Sequence, residues 1–282
     1  EFLREDTYFP IPALIQLYDG QTIYLIDPLT IDNFDALTEL LGASSVVKIM
    51  HSCSEDLEIF RLLCDVVPRP LFDTQIAAGY SGIGLSMSYQ GLVQSVLDVE
   101  LDKGETRSKW LRRPLTEQQL QYAAHDVRWL PAIYQHISDQ LANSDRQKWF
   151  DEDMEKLLDE AAGPIADELI YLRIKASSRL SVRALNLLRY LAAWREKTAR
   201  DKNIPKGRVL SDAALMTIAD SFYGRAASKE KLATIRELTA KQVRNYGDDL
   251  LQLVAQHLSD SPDDYPSPVV SLRAPEFRRQ LK

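Results

Sequence analysis

The sequence predicts an α/β domain, a mixed sheet flanked by helices, followed by an all-α module, and three observations carry this reading. Short β-rich runs alternate with amphipathic stretches through the first half of the chain. Strand signals stop near residue 168, and from there only helical periodicity remains. The charge divides along nearly the same line: residues 171–250 carry 17 Lys and Arg against 8 Asp and Glu, net +9, while the rest of the chain carries −16. At 282 residues the chain is long enough for one large and one small domain, because single cores stop growing beyond roughly 250 residues.

Taken in order, 13–17 (Ala-Leu-Ile-Gln-Leu) and 22–26 (Thr-Ile-Tyr-Leu-Ile) are apolar runs joined through Asp19-Gly20, a hairpin signal that predicts two antiparallel strands. A helix is predicted over 32–41, then a buried strand at 46–50 (Val-Val-Lys-Ile-Met). Another helix follows over 54–63, where Leu57, Ile59, Phe60 and Leu63 form its apolar face. Further helices are predicted at 73–80, 87–97 and 116–139, the last opened by Thr116 and Gln119 at capping-box spacing. The second module reads as helices near 168–176, 180–199, 211–222, 228–234 and 239–257. Residues 259–268, rich in Pro, Ser and Asp, read as a linker rather than core.

No apolar run approaches the roughly 20 residues that span a bilayer, and the amino terminus lacks a secretory pattern. A soluble cytoplasmic protein, acting as a monomer and away from membranes, is the expectation. Cys53 and Cys64 form neither a CxxC nor a Cys/His cluster, which argues against zinc and a disulfide framework and predicts two reduced, buried thiols. A basic helical segment beside an acidic one suits a phosphate-binding module next to a carboxylate metal site. Solvation of helix faces is the competing explanation of the same charges.

Tyr122 and Asp126 are spaced i, i+4, so on a helix the phenol and carboxylate share one face, one turn apart. A carboxylate there can hold a divalent cation, and a hydroxyl one turn away can orient the attacking water. The run 51–56 (His-Ser-Cys-Ser-Glu-Asp) follows a strand and opens a helix, which places Asp56 at the carboxyl end of a sheet strand, where open α/β sheets build their sites. The competing explanation is local: Ser52 or Ser54 caps the helix while Glu55 and Asp56 complement its dipole. Glu1-Phe2 puts an acid at the head of a first strand that begins mid-strand, so preceding residues are expected.

The order Glu1-Phe2, then His51-Ser52-x-x-Glu55-Asp56, then Tyr122-x-x-x-Asp126 resembles the three exonuclease motifs of the ribonuclease D family. Agreement extends through Phe72-Asp73-Thr74-Gln75-Ile76-Ala77-Ala78, and through a long segment from Leu101-Asp102-Lys103 past Trp110-Leu111 and Arg113-Pro114-Leu115-Thr116 to Asp126-Val127. Asn203-Ile204-Pro205 and Val209-Leu210-x-Asp212-x-x-Leu215 resemble the helical HRDC domain shared by that family and RecQ-type helicases.

The resemblance implies a ribonuclease-H-like exonuclease domain of the DEDD superfamily, tyrosine subgroup, over 1–145 with a truncated first strand. It also implies a connector at 146–167, an HRDC domain at 168–257, and a linker or the start of a further helical domain at 258–282. Glu1, Asp56 and Asp126 match metal-holding acids and Tyr122 the water-orienting tyrosine, making these four the catalytic set. The remaining acid would lie two residues ahead of Glu1. Lys109 stands where the family commonly has Asp, a departure that would alter substrate handling. The implied cofactors are two divalent ions, Mg²⁺ or Mn²⁺. The implied activity is 3′→5′ exoribonuclease release of 5′-mononucleotides, with tRNA precursors and other structured RNA 3′ ends as partners held in part by Lys202, Lys206 and Arg208. A DNA-preferring exonuclease of this superfamily, or an RNA-binding protein that has lost catalysis, fits the same residues.

Overall fold

The computed structural model describes residues 1–101, 104–105, 108–163 and 165–269. It forms two compact units, Glu1–Arg4 with Pro10–Pro164 and Glu5–Phe9 with Ile165–Lys282. In the first unit, β1 (Phe2–Leu3) pairs antiparallel with β2 (Ile11–Pro12), and β3 (Ile15–Tyr18) pairs antiparallel with β4 (Ile23–Ile26) in the register Ile15↔Ile26. β5 (Lys48–Met50) and β6 (Leu71–Asp73) form a parallel pair. Both strand directions occur, as predicted, but in three two-stranded pieces among the described residues rather than one long sheet. The β3–β4 turn is set by the Asp19 carboxylate, which accepts from the Gln21 and Thr22 N–H groups, and by Gly20 at φ +93°, a conformation that favours glycine.

Around these strands lie α1 (Asp35–Gly42), α2 (Ser54–Cys64), α3 (Thr74–Ser81), α4 (Tyr89–Leu97), α5 (Glu117–Arg128), α6 (Leu130–Ala142) and α7 (Gln147–Ala162). The predicted buried strand 46–50 is corrected in its first half. Val46 and Val47 face solvent, and the buried residue is Lys48, whose ammonium donates to the Ala43, Val46 and Arg69 carbonyls. A lysine that meets three carbonyls can be buried where an unpaired one cannot. The predicted helix 116–139 is two helices broken at Trp129. Pro131 stands in the first turn of α6, where it has no N–H to bond back to Val127 and would crowd that carbonyl.

α7 occupies much of the expected connector. Its Phe150, Met154 and Leu158 recur every four residues and are buried in the core that also takes Leu57, Phe72, Leu92, Ile133 and Ile137. Cys53 is buried as predicted, whereas Cys64 is only half-buried. Both thiols are free.

The second unit comprises a 3₁₀ turn (Asp167–Arg173), α8 (Val182–Asp201), α9 (Lys206–Val209), α10 (Asp212–Phe222), α11 (Lys229–Leu232) and α12 (Ala240–Ser259). Serine or threonine caps start α8, α10, α11 and α12, and the longest of these helices bury Leu185, Leu188, Leu191, Leu215, Ile218, Leu250 and Val254 in one core. The segment predicted as a free linker is tied to this unit through residue 265. Asp260 accepts from the Asn186 amide at 2.6 Å, and Tyr265 stacks on His257 with ring centroids 5.9 Å apart. The expected further helical segment beyond 269 lies outside the described residues, as do Asp102 and Lys103. No helix among the described residues is long and apolar enough to cross a membrane.

Candidate active site

Tyr122 and Asp126 lie on α5, which packs against β3 and β4. Thr116 starts this helix as a reciprocal capping box with Gln119, whose amide also donates to the Ser108 hydroxyl at 2.7 Å and anchors the preceding loop. Arg113 fastens that loop further. Its guanidinium donates to both Asp27 oxygens at 2.5 and 2.7 Å and to the Ala13 carbonyl at 2.7 Å. Tyr122 stands in the small cluster of Ala13, Leu14, Trp110 and Ala123, its ring centroid 6.0 Å from that of Trp110. The conformation of the α5 face is therefore fixed on both sides.

Glu1 is held at the head of β1 from two directions. Its carbonyl accepts from the Ala13 and Leu14 N–H groups at 2.8 and 3.1 Å, and its backbone nitrogen donates to the Leu14 carbonyl at 2.6 Å. This docks Glu1 against the entry to β3, with its carboxyl group near enough to Asp126 for the two charges to act on each other.

Asp56 sits in the first turn of α2, as the sequence predicts. Neither Ser52 nor Ser54 caps this helix, whose cap residue is Cys53, while Glu55 and Asp56 do stand in its first turn, where they complement the dipole. The turn is set instead by Asp73, at the end of β6. Its buried carboxylate accepts from Ser52 N–H at 3.1 Å, Cys53 N–H at 2.8 Å, Gln75 N–H at 2.8 Å and Ile76 N–H at 3.3 Å. One carboxylate thus caps α3 and pins the left-handed Ser52 (φ +56°) at the entry to α2.

Asp73 belongs to the matching segment 72–78, yet its role is absent from the sequence-based expectations; an Asp just ahead of an amphipathic helix was the available signal. Asp73→Ala leaves four N–H groups without this acceptor at a site 2% exposed. A loss of about 2–4 kcal/mol in urea unfolding is expected, at roughly 0.5–1 kcal/mol of net stabilisation for each of the four hydrogen bonds. A loss under about 1 kcal/mol would contradict this role.

Electrostatics links the three acids. Burial, then the Glu1 charge, pushes the Asp126 carboxyl up to about 7. Burial pushes Asp56 up to about 6, with Glu1, Glu55 and Asp73 adding to it. Burial also raises Glu1.

These hard oxygen donors fit a divalent cation of the Mg²⁺ or Mn²⁺ type. Among the described residues no group of three or more His, Cys, Asp or Glu is already arranged to hold a metal, so the carboxyls would have to converge on it.

The three predicted nucleic-acid contacts lie in the second unit, and each is engaged there. Lys202 sits over the Tyr246 ring, its nitrogen 4.6 Å from the centroid. Lys206 is 3.5 Å from the buried Glu196 carboxylate, and Arg208 pairs with Asp6. All three remain exposed to solvent. Lys109, in the loop ahead of α5, is exposed.

Residues 1–142 match the family model described as 3′-5′ exonuclease, and residues 184–254 match that of the HRDC domain. The chain is 39% identical to ribonuclease D of Pseudomonas paraeruginosa over 282 residues, all of this chain and 74% of that protein. It is 36% identical to ribonuclease D of Haemophilus influenzae, covering 100% of this chain and 70% of the relative. The crystal structure of Escherichia coli RNase D, described as an exoribonuclease involved in structured RNA processing, superposes with a TM-score of 0.85 at 34% identity. That match covers 99% of this chain and 74% of the solved one.

Proposed function

The chain belongs to the ribonuclease D family and is a 3′→5′ exoribonuclease; from that premise we propose that Glu1, Asp56 and Asp126 hold its divalent metal ions and that Tyr122 positions the attacking water. The observation that carries this reading is that the Glu1 charge, at the head of β1, acts both on Asp126 of α5, one turn after Tyr122, and on Asp56 in the first turn of α2.

A pair of bound divalent ions would supply charge neutralisation at the phosphate and at the leaving 3′-oxygen. The protein's part is placement. Asp126 and Glu1 would hold a cation as ionised carboxylates, and Asp56 would bring a third charge from α2. Tyr122, one turn before Asp126, offers a hydroxyl to hold and orient water for in-line attack. Cleavage between phosphate and 3′-oxygen releases a 5′-mononucleotide and leaves a new 3′-hydroxyl for the next cycle.

The proposed substrates are 3′ extensions of structured RNA such as tRNA precursors. Digestion of 3′-labelled RNA and DNA of one sequence by the full-length protein, with Mg²⁺, Mn²⁺ or EDTA, tests the reading. Metal-dependent release of 5′-mononucleotides from RNA is expected. Equal or faster digestion of DNA would overturn the substrate class, and products bearing 3′-phosphates would overturn the chemistry.

Lys202, Lys206 and Arg208 are proposed to bind the RNA backbone. Replacing all three with Gln is expected to weaken RNA binding without changing its sequence preference. The slope of log affinity against log salt should become shallower by about 0.7 for each phosphate that these side chains neutralise. An unchanged slope would leave these residues to their partners within the helical unit.

A further inference from the structure

We propose that Tyr89 is a positioning residue for the metal site: its hydroxyl is inserted into the backbone ladder of α5 and fixes the turn that presents Asp126. The inference rests on the reading of Asp126 as a metal-holding acid. Tyr89 opens α4 and is 8% exposed. Its phenol donates to the His125 carbonyl at 3.2 Å and accepts from the Trp129 N–H at 3.3 Å.

Residues 125 and 129 are i and i+4, the pair whose C=O and N–H would bond each other directly in an uninterrupted helix. The hydroxyl therefore occupies one rung of the ladder, and side-chain insertion of this kind is a recognised cause of helix kinks. α5 ends one residue before Trp129, whose N–H also turns back to the Val127 carbonyl, and α6 starts one residue after it. Pro131 explains why the helix cannot run on unchanged. Tyr89 determines how the interrupted backbone is satisfied, one residue from the Asp126 carboxylate.

The same ring reaches the other side of the site. His51, at the end of the β5 segment leading to Asp56, packs edge-on against it with centroids 5.6 Å apart. His51 is itself held through Nδ1 to the Thr74 hydroxyl at 2.9 Å and through Nε2 to the Met87 carbonyl at 3.1 Å. One buried phenol thus touches both the turn carrying Asp126 and the strand end ahead of Asp56. In Tyr89→Phe the ring and its contact with His51 remain. The Trp129 N–H and His125 carbonyl are then free to close on each other and turn Asp126.

The test measures Mn²⁺ affinity of the full-length protein by electron paramagnetic resonance, alongside kcat and KM on 3′-extended RNA. Wild type is compared with Tyr89→Phe, Tyr89→Leu and Asp126→Asn, and circular dichroism follows folding. Tyr89→Phe is expected to bind Mn²⁺ about tenfold more weakly and to lose about tenfold in kcat with KM for RNA within about twofold of wild type, on the scale of residues that orient metal ligands. A folded Tyr89→Phe with unchanged Mn²⁺ affinity and kcat overturns the proposal. Failure of both Tyr89 variants to fold overturns it in favour of a purely structural role. Asp126→Asn separates the two readings: if it binds Mn²⁺ like wild type, the metal assignment itself is wrong, whatever Tyr89 does.

Discussion

Replacing Asp126 with Asn is expected to lower kcat on 3′-extended RNA by roughly a hundredfold to a thousandfold or more, the scale for removing one preorganised electrostatic interaction with a transition state. Asp126 feels the Glu1 charge and shares a helix face with Tyr122, which makes it the most direct test of the proposed metal site. An amide there keeps the size and removes the charge. Tyr122→Phe tests the other half of that face. It leaves the ring packed near Trp110 and removes only the hydroxyl, so a loss of about a hundredfold in kcat with nearly unchanged metal affinity is expected. Trimming by either variant at the wild-type rate would show that the α5 face is not where the chemistry occurs.

Much of this site was legible because its parts lie where periodicity and motif order place them. The i, i+4 spacing of Tyr122 and Asp126 needed only a helix, and the Thr116–Gln119 capping box announced one. Asp56 followed from a strand running into a helix. What the sequence could not supply was the support around those residues. Asp73 lies 17 residues from Asp56 and acts through four backbone N–H groups, a relation that no local pattern records. The break at Trp129 was in principle readable from Pro131, but the apolar rhythm of α6 continues that of α5 closely enough to hide it.

α7 was obscured differently. Its apolar residues Phe150, Met154 and Leu158 keep helical spacing, but most of the residues between them are charged, which gives the segment a linker's composition. Lys48 reverses the usual expectation altogether, since the buried residue of that strand start is the charged one and the two valines beside it are exposed.

Stability of the protein stripped of divalent metal is expected to fall as pH rises from about 4 to 8, and added Mg²⁺ is expected to restore it mainly at the upper end. Asp56 and Asp126 titrate near 6 and 7 in the folded chain, against an ordinary value of 3.8. The folded state therefore holds protons that the unfolded state has released across this window. Below pH 3.8 both states are protonated and burial of the neutral acids is tolerated. As pH rises through the folded values those acids must ionise inside the site, and the stability they allowed is lost. Divalent cations require the ionised carboxylates, so Mg²⁺ stabilises strongly at about pH 8 and little at about pH 5. Thermal melts in EDTA and in saturating Mg²⁺ at both pH values, on wild type and Asp126→Asn, isolate the effect from other titrating groups. Wild type should show the larger Mg²⁺-induced rise in Tm at the higher pH, and Asp126→Asn should lose most of it. An equal rise at both pH values would mean that the cation does not compete with these protons. In that case the acids at the end of α5 and the start of α2 would not be its ligands.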